Sequence, residues 1–142
     1  MKQQSSASYT GGCLCGAIRY KVQGPMRSII GCHCRSCRRG SGHFVTATAV
    51  LRACIEITGE PRWYPVGEAR RGFCPECGAF LFWDKPDLDR ISVLAGSLDD
   101  TGELALTGHI YVAEKGDYYR IPEDEPCSAF RDANLQNIEA PT

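Results

Sequence analysis

Apolar and polar residues alternate with a period of two along much of this chain, the pattern of strands with one buried face. Ile18, Tyr20 and Val22 alternate with Arg19 and Lys21, predicting a strand closed by the Gly24-Pro25 turn. A short Ile29-Ile30 run follows, and then the Gly40-Ser41-Gly42 break. Residues 43–51 carry Val45, Thr46, Thr48 and Val50, which read as strand because β-branched side chains crowd the preceding turn of a helix. Ile55 and Ile57 alternate before Gly59-Glu60-Pro61. Residues 71–73 and 79–83 predict strands on either side of Cys74 and Cys77, and residues 91–95, 109–112 and 118–121 predict three more. The one expected helix is a turn or two starting near Arg35. The pattern therefore predicts one mainly β domain of antiparallel sheets over residues 9–130, between polar tails at 1–8 and 131–142.

Length and charge narrow the picture. At 142 residues the chain has room for one domain, and its net charge of −1 removes the broad electrostatic case for nucleic acid or an acidic membrane. It has neither the apolar run of a spanning helix nor a signal-like start, so a cytoplasmic protein is expected. Cysteine changes the picture most, with nine in the chain. That number is odd, and seven of the nine fall into three tight groups: Cys13-Leu14-Cys15, Cys32-His33-Cys34-Arg35-Ser36-Cys37 and Cys74-Pro75-Glu76-Cys77. Neighbours so close converge on one metal ion more readily than they form mutual disulfides. Cys54 and Cys127 stand alone and read as inert thiols.

Cys74-Pro75-Glu76-Cys77-Gly78 has the chemistry of a zinc knuckle. Pro75 pre-sets part of the turn, and Gly78 accepts the positive φ that follows. A knuckle supplies two ligands, and Cys13 with Cys15 is the matching pair across 58 intervening residues, giving a closed site of structural kind. Cys32, Cys34 and Cys37 would then leave a second zinc with one open position, as exchangeable ligands require. Other partitions stay open from spacing alone. His33, His43 or His109 could close the second site, Cys34 and Cys37 could join the knuckle as a zinc ribbon, and an iron–sulfur cluster is a third option.

Arg35, Arg38 and Arg39 surround the middle group, and Arg70 and Arg71 precede the knuckle. A solvated basic face that balances thiolate charge accounts for all five. For Arg38 and Arg39 a carboxylate-binding role weighs equally, since guanidinium forks hold carboxylates bidentately.

The ordered motifs Gly12-Cys13-Leu14-Cys15-Gly16, Cys32-His33-Cys34-Arg35-Ser36-Cys37-Arg38 with Ser41-Gly42, and Phe73-Cys74-Pro75-Glu76-Cys77-Gly78 resemble the glutathione-dependent formaldehyde-activating enzyme family, which includes centromere protein V. The likeness continues through Ala95-Gly96-Ser97-Leu98-Asp99-Asp100 and His109-Ile110-Tyr111 to residue 130. It implies a β-tent fold and two zinc ions: a structural one on Cys13, Cys15, Cys74 and Cys77, and a catalytic one on Cys32, Cys34 and Cys37. It also implies a carbon–sulfur lyase-type activity, that of an S-(hydroxymethyl)glutathione synthase, which condenses glutathione with formaldehyde. On this reading the sulfur of glutathione or another small thiol meets the metal and Arg38 or Arg39 holds its carboxylate. His43 is the leading histidine for a general base, set against a plain pocket-wall role. A non-catalytic zinc module, an adduct carrier, and thiol chemistry on another small carbonyl are the rival readings. The short stretch between Tyr64 and Phe73, Tyr119 in place of a common tryptophan, and Glu125-Pro126-Cys127 depart from the family pattern in loops that would line a substrate pocket.

Overall fold

The computed structural model of the chain describes residues 7–138. β1 (Ser8–Gly12), β2 (Arg19–Gln23) and β5 (Ile55–Thr58) form an antiparallel three-stranded sheet with β2 in the middle. The larger sheet contains β3 (Ile29–Cys32), β4 (Val45–Leu51), β6 (Arg62–Val66), β7 (Ala69–Phe73), β8 (Phe80–Asp84), β9 (Arg90–Leu94) and β10 (Leu106–Ile110). Its order is β10-β3-β4-β9-β8-β7-β6, and every neighbouring pair is antiparallel except β10 with β3. One α-helix, α1 (Arg35–Ser41), links β3 to β4. The expected mainly β architecture with a single short helix from Arg35 is the one found. No helix among the described residues is long and apolar enough to cross a membrane.

The core lies where the two sheets face each other. Ile18, just before β2, and Tyr20 and Val22 within it pack with Val50, Leu81, Phe82, Ile91 and Val93 from the large sheet. The Tyr20 and Phe82 rings meet edge to face at 5.7 Å, and the Tyr20 hydroxyl shares a 2.7 Å hydrogen bond with Ser97 Oγ. Strict alternation in β2, with Tyr20 and Val22 inward and Arg19, Lys21 and Gln23 outward, is what lets one sheet face bury while the other stays wet.

Several elements depart from expectation. β1 was hidden in a small, polar stretch, and it exists because Ser8 to Gly12 pair residue for residue with β2. β6 contains Pro65, and it sits at the sheet edge, where a missing N–H is tolerated. Residues 118–121 form no strand, and the strand expected at 109–112 ends at Ile110. The free edge of β10 is already taken by the chain's own ending: His109 N donates to Pro126 O, Ser128 N to His109 O and Tyr111 N to Phe130 O. Tyr118 and Tyr119 instead turn their rings onto His43 and His33. Of the expected tails, residues 1–6 and 139–142 lie outside the described residues. Ser8 begins β1, while Leu135 covers Gly108 and Gln136 O accepts from Arg90 Nη1 at 3.1 Å.

One buried charge ties the large sheet together. Asp84, 1% exposed, accepts from Arg52 Nη2 at 2.8 Å and from Arg70 Nε at 2.9 Å. Arg70 also lies over the Trp63 ring. Asp84→Ala leaves two half-exposed guanidinium groups without their acid and is expected to destabilise the domain by about 2 kcal/mol, the scale of lost charged hydrogen bonds. Urea unfolding of the variant checks this, and a midpoint unchanged from wild type contradicts it.

Candidate metal centres and their cavity

Sharp turns bring the first cysteine group together. Cys13 and Cys15 follow β1, and Cys74 and Cys77 occupy the turn between β7 and β8, so the group spans the two sheets. Both turns need a left-handed residue that glycine supplies: Gly16 at φ 86° and Gly78 at φ 78°. All four sulfurs lie within 4.8 Å of one another, with Cys13–Cys15 and Cys15–Cys74 at 3.7 Å. Four sulfurs at ~2.3 Å from a zinc-sized ion stand about 3.8 Å apart along each tetrahedral edge, so the donor set fits such an ion. Backbone amides already point at the sulfurs, Ile18 N to Cys13 at 3.2 Å and Glu76 N to Cys74 at 3.4 Å. Burial pushes the Cys13 thiol up, but the Ile18 amide and the thiols of Cys15 and Cys74 outweigh it and bring Cys13 down to about 6.

Cys32 ends β3, while Cys34 and Cys37 stand at the start of α1, one helical turn apart. Cys34 is the N-cap, its sulfur accepting from Cys37 N at 3.3 Å. The helix start is fixed by Glu114, which accepts from Arg35 N at 2.8 Å, and by Arg71, which donates to Ser36 O and Ser36 Oγ. The three sulfurs lie within 4.8 Å of one another, and no fourth metal-ligating side chain joins them among the described residues. The Cys32 and Cys37 thiols hold Cys34 far below the usual thiol range. Hydrogen bonds to Cys32 and Cys34, with burial, drive Cys37 far above it. Three thiolates so close cannot ionise together without a cation among them.

The histidines do not complete this group. His33 and His109 are buried in a chain of hydrogen bonds: Tyr119 OH to His33 Nδ1 at 2.5 Å, His33 Nε2 to His109 Nδ1 at 2.8 Å, and His109 Nε2 to Glu125 Oε1 at 2.6 Å. Burial, then the neighbouring His109, Lys115 and His43, lower His33 to about 4. His43 Nδ1 meets Tyr118 OH at 2.5 Å, and His43 borders a cavity of about 670 Å³ on the Cys13 side.

A different cavity, of about 610 Å³, is bordered by Cys32, Cys34 and Cys37. Its walls are mostly apolar, with Ile30, Val45, Phe80, Trp83 and Ile110 among them. Arg38 and Arg39 do not line it. The Arg38 Nε donates to Glu114 O at 3.3 Å, and Arg39 is exposed. Arg27 and Arg131 do line it, as does Tyr111, which holds the left-handed φ of 58° without being glycine. A side chain in that region costs roughly 1–2 kcal/mol, and such strain gathers at functional sites. Neither arginine stands within a cysteine motif that would single it out, Arg27 preceding Cys32 by a whole strand, while Tyr111 falls within the His109-Ile110-Tyr111 likeness.

The family model described as glutathione-dependent formaldehyde-activating enzyme matches residues 8–114, a span that holds both cysteine groups. The chain belongs to that family. A solved structure of a Rhodobacter sphaeroides protein shares the fold, at TM-score 0.55 and 22% identity, over 69% of this chain and 99% of that one. Family membership supports a glutathione-related, formaldehyde-activating role and substrates of that kind. The two cysteine groups of this member could each hold a metal ion, four sulfurs in one and three in the other.

Proposed function

We propose that this member is a zinc-dependent carbon–sulfur lyase-type enzyme that joins a thiol, glutathione in the first instance, to formaldehyde or a related small carbonyl. The observation that carries the reading is the three-sulfur group of Cys32, Cys34 and Cys37, which lacks a fourth protein ligand among the described residues and opens into a cavity of about 610 Å³. A purely structural zinc module would have both ions saturated by protein.

In this reading Cys13, Cys15, Cys74 and Cys77 hold the structural ion, and Cys32, Cys34 and Cys37 the catalytic one. A zinc ion at the second site would supply positive charge that favours the thiolate form of an incoming thiol. In the reaction the thiol sulfur bonds to the carbonyl carbon, the carbon–oxygen π pair moves to oxygen, and the thiol proton ends on that oxygen as a hydroxyl. The residues of the chain orient and shelter: α1 sets Cys34 against Cys37, and Phe80, Trp83 and Ile110 keep one side of the cavity dry. His43 faces the other cavity, so the reading assigns it no proton-transfer step. The β-tent description belongs to the same reading, as does the cytoplasm, where reducing conditions keep clustered thiols free for metal.

Elemental analysis of the reconstituted protein is expected to find two zinc ions per chain, one leaving to a chelator far sooner than the other. Thiol-dependent formaldehyde consumption should fall with the labile ion. Iron in place of zinc, or turnover indifferent to the chelator, contradicts the proposal.

A further inference from the structure

We propose that the cavity beside Cys32, Cys34 and Cys37 takes a thiol that carries a carboxylate, and that the guanidinium of Arg27 receives that carboxylate. This rests on the thiol-binding reading above and moves the anchor from the arginines that flank the cysteine motif to one a strand away.

Arg27 is 5% exposed, yet it forms no ion pair among the described residues. Its Nη2 donates to Ala47 O at 2.8 Å and its Nε to Ser28 O at 3.2 Å, both neutral acceptors, and no hydrogen bond from the described residues engages Nη1. Burial, and after it the neighbouring cation Arg90, lowers Arg27 to about 10, which leaves it charged at neutral pH. A buried cation without a counter-charge is an expensive arrangement, and an entering anion would recover much of that expense. The apolar walls make the attraction stronger than it would be in water. The one carboxylate lining this cavity, Glu68, is exposed and lies 3.5 Å from Lys85. The other cations lining it are Arg131, which is exposed, and Lys85, which already pairs with Glu68 and Asp87. Arg71 is also buried, but only its Nη2 is engaged, by Ser36; its Nη1 has no partner among the described residues, its guanidinium packs over Phe80, and it does not border the cavity.

The test compares glutathione with its diethyl ester and with 2-mercaptoethanol, titrated into the cobalt-substituted protein. Calorimetry reads affinity, and the cobalt absorption reports whether sulfur reaches the metal. The ester is expected to bind at least about tenfold more weakly than glutathione while still changing the cobalt spectrum, the effect of a lost charged hydrogen bond. Arg27→Met should weaken glutathione by a similar factor and leave the ester unchanged, with Arg27→Lys in between. Equal affinities for acid and ester in the wild-type protein overturn the proposal while leaving the thiol reading intact, and that arm does not depend on a variant folding. A folded Arg27→Met that still prefers the acid by the wild-type factor also overturns it. If no thiol changes the cobalt spectrum, the thiol reading falls and the Arg27 assignment with it.

Discussion

Replacing Cys74 or Cys77 with serine is expected to abolish the cooperative melting transition of the domain. These residues sit in the turn between β7 and β8, and their partners Cys13 and Cys15 follow β1, so an ion held by all four would join the small sheet to the large one. Apparent binding energies of structural zinc reach about 10 kcal/mol or more, comparable with the roughly 5–15 kcal/mol that holds a whole domain folded. Cys74 is fully buried, so a serine there would also strand a hydroxyl in the core. Beyond the shared apolar core, the joints are polar contacts such as Tyr20 to Ser97 and the two-point Arg19–Asp99 pair, and the second of them is exposed. Circular dichroism on heating checks this, with zinc content measured on the same sample. A normal transition in Cys74→Ser contradicts the structural role.

Cys34→Ser should do the opposite, removing turnover and sparing the fold. Serine is a favoured N-cap, and its oxygen can accept from Cys37 N as the Cys34 sulfur does at 3.3 Å, so α1 keeps its start. The group is left with two sulfurs, too few to retain its ion against solvent. Thiol-dependent turnover is expected to fall by at least about a hundredfold, a loss of ~2.7 kcal/mol in transition-state stabilisation. One zinc per chain should remain, and the melting temperature should move by a few degrees at most. Turnover within a few-fold of wild type would show that this group does not carry the chemistry.

Convergence within each cysteine motif was legible in the chain because ligand spacing is a local property. Which motifs share a group was left open by spacing and followed only from the resemblance. Cys34 and Cys37 fall one helical turn apart, and the Cys74–Cys77 turn closes on its own glycine, so both convergences follow from short stretches of backbone. The strands with strict alternation, β2 and β5, were legible for the same reason. β1 and β6 were not. Their sequences, Ser-Tyr-Thr-Gly-Gly and Arg-Trp-Tyr-Pro-Val, gain strand character only from the neighbour they pair with. The residues at 118–121 erred the other way: good strand formers with no free edge to join.

Charge at the cavity shows the limit most clearly. Arg38 and Arg39 drew attention by standing beside Cys37, yet one is turned to Glu114 and the other to solvent. Arg27 looks like an ordinary loop arginine until β3 and β4 pair and carry Ala47 O and the cavity wall to it. Which cation faces a cavity is decided by strand pairing across the sheet, and adjacency along the chain does not report it.

In the proposed function one site is saturated by protein and the other keeps a position for a thiol. X-ray absorption at the zinc edge measures it directly. With four and three cysteine ligands at the two sites, the mean sulfur count per zinc should be about 3.5 in the protein alone and rise to about 4 with glutathione. A mean that stays at 3.5 when glutathione is added, or already stands at 4 without it, contradicts the account.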